Sequence, residues 1–185
     1  MELPRRRILR LGGAAVLTGL ASSIASPALA ELVTRRSRNL ALQNLHTGET
    51  VNVDYWANGN YIPEALAEIN KVMRDWRSGE IHAIEPRLLD SLSYMRNWMG
   101  RKDAFHVISG YRSPTSNAKM ASASSGVAKK SLHMEGKAID IRLPGCELSS
   151  LHKAALSMRC GGVGYYPVSN FVHLDVGRVR NWSGA

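Results

Sequence analysis

The segment "FVHLDVG", residues 171–177, puts Val172, Leu174 and Val176 on one side of an extended chain and His173 and Asp175 on the other, because successive side chains of a strand point to opposite faces. "AIDIRL", residues 138–143, repeats the pattern, with Ile139, Ile141 and Leu143 on one side and Asp140 and Arg142 on the other. Each aliphatic side must be buried in a core, so the ionisable side faces away from it. If the two strands are antiparallel neighbours, Asp140 and His173 share that second face.

The rest of the chain supplies partners for these strands. "FHVIS" (105–109) and "GVGYY" (162–166) read as further short strands, and "LALQNLHTGETVNVDYW" reads as a β-hairpin around His46-Thr47-Gly48-Glu49. A helix opening at Pro63 puts Leu66, Ile69, Met73 and Trp76 on one face and stops before Gly79. A second helix stacks Leu88, Leu92, Met95 and Met99 before Gly100, and a third spans 148–159. Between Ser113 and Lys130 runs a long loop rich in Ser, Ala and Gly, with a helical turn at "SPTSNAKMA"; loops of this length are often functional. The expected fold is one α+β domain, a small antiparallel sheet with flanking helices.

The first thirty residues stand apart. Arg5, Arg6, Arg7 and Arg10 precede an uncharged run from Leu11 to Ala30 that ends in Ala28-Leu29-Ala30. This is the layout of a secretory signal peptide, and the arginine pair resembles the twin-arginine type. The mature domain is then 31–185, periplasmic, with no stable membrane insertion after cleavage; an uncleaved membrane anchor is the alternative. Removing the segment takes a net +3 from the formal charge of +9 and leaves +6. A basic balance suits a polyanionic envelope polymer or nucleic acid, and export removes the second. Cys146 and Cys160 flank the third helix, too far apart for a bridge, and are expected as free thiols.

His133 lies in the loop entering the strand that carries Asp140, and Gly136 lets that loop turn without a Cβ penalty. Two imidazoles and a carboxylate would suit catalytic zinc, which takes three protein ligands and keeps a fourth position for water. From spacing alone, a solvated surface histidine is the commoner reading. His46, His82 and His152 carry solvated or structural readings, and His106, alternating opposite Phe105 and Val107, reads as structural with a cleft-facing position as the alternative.

In the order "SGYRSP", "SLHMEGKAID", "FVHLDVG", the chain from about Phe105 to Trp182 resembles the M15 zinc peptidases of the hedgehog/D-Ala-D-Ala-peptidase fold, DUF882 branch. The set S-x-H-x-x-G-x-A-x-D is met at Ser131, His133, Gly136, Ala138 and Asp140. The resemblance implies one zinc per chain on His133, Asp140 and His173. It also implies that Arg112 binds a substrate carbonyl or carboxylate, with Ser131 bonding substrate or bracing the site. The substrate it implies is peptidoglycan, cut as a murein endopeptidase at D-Ala–diaminopimelate or diaminopimelate–diaminopimelate bonds by a monomer. The alternatives are a carboxypeptidase on stem peptides and a non-catalytic, zinc-containing peptidoglycan-binding module.

One departure concerns the proton-transfer group. Where many relatives have an acid or a histidine just upstream of the last zinc histidine, this chain has Asn170 and Phe171. An amide is no general base near neutral pH. Asp175, expected about 7 Å beyond His173 along the strand, ranks first as the base or as the group that orients a ligand imidazole. Glu135 ranks behind it. Tyr165, Tyr166 and Trp182 are expected in a groove or in the core.

Overall fold

The computed structural model describes residues 37–123 and 126–184; the expected signal segment lies outside them. Among the described residues no helix is long and apolar enough to cross a membrane.

Eight strands form one sheet: β1 Ser37–Asn44, β2 Thr50–Ala57, β3 Asn60–Tyr61, β4 Phe105–Ser109, β5 Ala138–Arg142, β6 Gly162–Tyr166, β7 Phe171–Asp175 and β8 Arg180–Ser183. Their order across the sheet is β3-β2-β1-β4-β5-β7-β6-β8. The α+β class is as expected, but the sheet is larger than expected and mixed. β4 lies parallel to β1 and β8 parallel to β6: a long crossover separates β1 from β4, and the chain reaches β8 after reversing through β7, which is antiparallel to β6.

The β1–β2 hairpin turns where the sequence places it. The Asn44 side-chain oxygen accepts from the backbone N–H of His46 at 2.9 Å and of Thr47 at 3.2 Å, and Gly48 takes the left-handed conformation at φ 74°.

Helix α1, Pro63–Val72, buries Ala65, Ile69 and Val72. It is shorter than its apolar spacing suggests, so Trp76 falls beyond it. That indole is 37% exposed, not on the core face, and stacks on His46 at 4.0 Å. Helix α2, Pro86–Trp98, buries Leu88, Leu89, Leu92 and Met95. The stretch expected as a loop contains a full helix, α3, Pro114–Ala123. Ser113 Oγ accepts from the backbone N–H of Ser116 at 3.2 Å at its start. Helix α4, Leu148–Met158, buries Leu151, Ala154 and Ala155 between β5 and β6 in sequence. Cys146 and Cys160 at its ends are free thiols.

Ile139, Ile141, Val172 and Leu174 join Leu40, Leu42, Phe105 and the apolar sides of α1, α2 and α4 in one continuous core. Burying that aliphatic surface is the main term holding the sheet to the helices. It also fixes which residues remain for the opposite face.

A 3₁₀ turn, Leu132–Glu135, brings the chain into β5 and ends on Gly136 at φ 65°. A Cβ on Gly136 would overlap the carbonyl oxygen of Ala83. Gly136→Ala is therefore expected to destabilise the protein by about 2 kcal/mol or more, combining left-handed strain with overlap. Equal urea midpoints for variant and parent would refute this account of the turn.

Candidate metal centre

Asp140 and His173 are paired directly across the antiparallel β5–β7 ladder. Parity of the two strands sends both side chains away from Ile139, Ile141, Val172 and Leu174, as expected. They are not exposed, however. Asp140 is 7% accessible, His173 9% and Asp175 0%. This second face is closed by His133 from the 3₁₀ turn, by Arg112 from the segment after β4, and by Trp182 from β8.

His133, Asp140 and His173 each offer a ligand atom, and these atoms lie within 4.8 Å of one another. His133 Nε2 is 3.2 Å from His173 Nδ1, and Asp140 Oδ1 is 2.8 Å from His173 Nδ1 and 3.3 Å from His133 Nε2. The other nitrogen of each ring is held from outside. His133 Nδ1 donates to the Gly110 carbonyl at 2.7 Å, and His173 Nε2 donates to Asp175 Oδ2 at 3.1 Å. With both ring protons directed outward, three lone-pair atoms converge on one point. A metal cation, or a proton on His173 Nδ1 shared with Asp140 Oδ1, relieves that convergence.

The local electrostatics agree. Burial works against charge on Asp140, yet the two imidazoles hold its carboxyl below the ordinary range. Burial likewise lowers the His173 pKa, but the hydrogen bonds to Asp140 and Asp175 outweigh it and raise the group overall. The cluster favours positive charge at its centre.

Asp175 does not lie free along the strand. Its carboxylate touches His173 and accepts from the backbone N–H of Gly162 at 2.9 Å and of Gly177 at 2.8 Å. Arg180 donates to its two oxygens at 3.1 and 2.6 Å. Despite burial, these partners hold the Asp175 carboxyl below its usual range. A carboxylate so surrounded can orient an imidazole, and both its oxygens are occupied by donors from within the fold. Glu135 is paired with Lys137 at 2.8 Å on the surface and does not line the cleft. Asn170 is exposed, in a turn, at φ 54°, a conformation asparagine tolerates.

Ser131 caps the 3₁₀ turn, its Oγ accepting from the His133 N–H at 3.4 Å; the same residue also lines the cleft. Arg112 is 6% exposed. It bonds Asn117 Oδ1 at 3.3 Å and Ser109 Oγ at 3.4 Å, lies 3.8 Å from Asp140 Oδ2, and leaves Nε buried without a partner.

The cleft over the cluster, about 750 Å³, includes Arg112, Ser131, Tyr166, Phe171 and Trp182 in its lining. Tyr166 stacks on Phe171 at 4.4 Å and accepts from Trp182 Nε1 at 2.8 Å. Tyr165 instead packs on the core and stacks on His152 at 4.6 Å.

Sequence reading missed Arg180 and the contact of Trp182 with His173, whose rings are centred 5.2 Å apart. The available signal was the alternating glycine of "GVGYY". In β6, Gly162 is opposite Arg180 and Gly164 lies between His173 and Trp182. A Cβ on Gly162 would overlap Asp175 Oδ2 and Arg180, and one on Gly164 would stand 2.7 Å from the Trp182 indole. Glycine in a strand marks such close approaches.

An α+β domain that presents two histidines, an aspartate and an arginine to one cleft has the make-up of an M15-type peptidase. Residues 32–182 match the family model described as "Peptidoglycan L,D-endopeptidase MepK", and the chain belongs to that peptidase family. It is 47% identical over 178 residues, 96% of each chain, to the peptidoglycan L,D-endopeptidase MepK of Escherichia coli (strain K12). The Shigella flexneri protein of the same name matches to the same extent, 47% over 178 residues. The probable peptidoglycan L,D-endopeptidase MepK of Haemophilus influenzae is 39% identical over 181 residues, 97% of this chain and 96% of that one.

Gly164→Ala is expected to destabilise the protein by about 1–3 kcal/mol through overlap with the indole. Adding Trp182→Ala should recover part of that loss, giving a favourable coupling in a double-mutant cycle of thermal or urea unfolding. Strictly additive losses would mean that the indole is not what the new methyl meets.

Proposed function

We propose that the chain is an exported, zinc-dependent endopeptidase that hydrolyses peptide cross-links of peptidoglycan in the periplasm. The observation that carries this reading is the convergence of His133 Nε2, Asp140 Oδ1 and His173 Nδ1, with both ring protons held outward. Their separations of 2.8, 3.2 and 3.3 Å suit a tetrahedral ion. Ligands about 2.05 Å from zinc at tetrahedral angles lie about 3.3 Å apart. All three donors come from one chain, so a monomer holds a complete site. The relatives' designation as L,D-endopeptidases favours the bond whose carbonyl belongs to an L centre and whose nitrogen belongs to a D centre, as between two diaminopimelates. Residues 1–30 would serve as the twin-arginine-type export signal.

Bound there, zinc would supply a Lewis acid and lower the pKa of a coordinated water to about 7. The protein's own groups set the geometry. Asp175 fixes the His173 ring through Nε2, and Gly110 fixes His133 through Nδ1, so neither imidazole rotates away. Arg112 lines the same cleft, where its guanidinium would offset the negative charge that develops on the scissile carbonyl oxygen. Tyr166, Phe171 and Trp182 form a rigid wall that screens the site from bulk water. Asp175 is assigned to positioning, not to proton transfer, because both its oxygens are occupied by donors from within the fold.

Purified sacculi incubated with the zinc-loaded chain should lose cross-linked muropeptides, resolved by chromatography. An unchanged profile from folded, zinc-bound protein would leave only the binding-module reading, and release of free D-alanine alone would indicate a carboxypeptidase. His133→Ala, Asp140→Ala and His173→Ala should each abolish cleavage and lower zinc content by elemental analysis; full zinc in all three would exclude them as ligands.

Asp175→Asn separates positioning from proton transfer. Its zinc affinity is expected to fall about 10–100-fold, with turnover largely restored at saturating zinc. Normal zinc affinity with turnover lost at any zinc level would return Asp175 to the role of base.

A further inference from the structure

The lining of the cleft carries more positive charge than its own carboxylates offset. Arg77, Arg112, Lys130 and Arg180 line the cleft, against the carboxylates of Asp140 and Asp175. Arg180 pairs with Asp175 at 2.6 Å, and the carboxylate nearest Arg112 is Asp140 at 3.8 Å. Among the described residues, Arg77 and Lys130 form no ion pair.

Arg77 is held in place. Its guanidinium carbon sits 4.2 Å from the centre of the Trp76 ring, which is itself stacked on His46. The Arg77 backbone N–H donates to Asp75 Oδ1 at 3.0 Å. The other oxygen of the same carboxylate accepts from the backbone N–H of Ser113, the neighbour of Arg112, also at 3.0 Å. Tyr111 N–H donates to the Met73 carbonyl at 2.7 Å, joining the same two segments again. Asp75 is 1% exposed. Although burial opposes its charge, hydrogen bonds from Ser116, Ser113 and Arg77 hold its carboxyl well below the usual range. One buried anion thus sets the spacing of the two segments that bear Arg77 and Arg112.

The two guanidinium groups feel each other. Both line the same cleft, and each carries a full positive charge. Two like charges fixed toward one cleft repel when it is empty and are both relieved when a carboxylate enters.

We infer that Arg77 is a specificity-determining residue that binds a free carboxylate of the substrate peptide, beside the bond that Arg112 faces, with Asp75 as the brace that holds the pair in register. This rests on the peptidase reading above. A diaminopimelate cross-link carries the required group, since the D-centre carbon that bears the scissile nitrogen also bears a free carboxylate. A planar guanidinium fork matches a carboxylate in geometry as well as charge.

The test uses the full-length, zinc-loaded chain with a synthetic diaminopimelate–diaminopimelate cross-linked stem peptide and its carboxamide analogue at that centre. For the parent chain, amidation is expected to raise KM about tenfold, the scale of one charge-assisted hydrogen bond, with kcat changed less than about twofold. Arg77→Ala should raise KM for the free-carboxylate peptide by a similar factor and respond no further to amidation. Equal responses of parent and variant to amidation, or an effect confined to kcat, would overturn the inference. Calorimetric Kd values for both peptides on the metal-free chain should show the same loss of discrimination. Those values also separate two failures: a parent that cleaves neither peptide refutes the peptidase reading, while a parent and variant with equal Kd ratios refute the Arg77 site.

Discussion

The site depends on one rung of one ladder, Asp140 opposite His173 in the β5–β7 pair. Side-chain period in a strand is two, so a slip of one residue would put His173 in the core and Val172 in the cluster. The register is enforced from the other face, where Ile139, Ile141, Val172 and Leu174 are all 0% exposed. Apolar burial against the helices holds the polar rung in place, and no bond within the cluster has to do so.

Around that rung the protein buries charge, and each buried group needs its partners. Removing one member of a buried ion pair leaves the other uncompensated, which costs several kcal/mol. The line His173–Asp175–Arg180 avoids this, as the Asp175 carboxylate takes donors from an imidazole, two backbone amides and a guanidinium. The line is possible because β6 leaves space where other strands carry side chains. Gly162 and Gly164 occupy the positions facing Arg180 and Trp182. Small residues there are as necessary to the arrangement as its histidines and aspartates.

Much of this was legible in the sequence, and the failures have physical causes. Parity within "AIDIRL" and "FVHLDVG" placed Asp140 and His173 on one face, and Gly136 signalled the turn that delivers His133. Strand parity says which way a side chain points but not what covers it, so the second face was taken as open. Its cover comes partly from β8, whose four residues, Arg180–Ser183, are half-exposed and bear no apolar stripe. The extent of the sheet was missed for the same reason, because β3 and β8 are short edge strands without a pattern. Trp76 was misplaced because its helical spacing continues past the point where α1 ends at Val72. The role of Asp175 was open on spacing alone, since a residue two along the strand can still reach its neighbour by tilting, as the 3.1 Å contact with His173 shows.

Charge in the cleft connects the cluster to its substrate class. Within the buried part, Arg112 and Arg180 balance Asp140 and Asp175 one for one. A divalent cation between neutral imidazoles would leave that region with an excess of positive charge, and Arg77 and Lys130 at the cleft wall add to it. At physiological salt such a field is screened within about 8 Å. It acts on groups that enter the cleft far more than on distant polymer. The basic balance of the chain as a whole, +9 formally, is therefore a weak guide to its partner, whereas the local arrangement is a strong one. On the proposed reading, a carboxylate next to the scissile amide would meet the positive charge of Arg77 and Lys130 in the cleft lining.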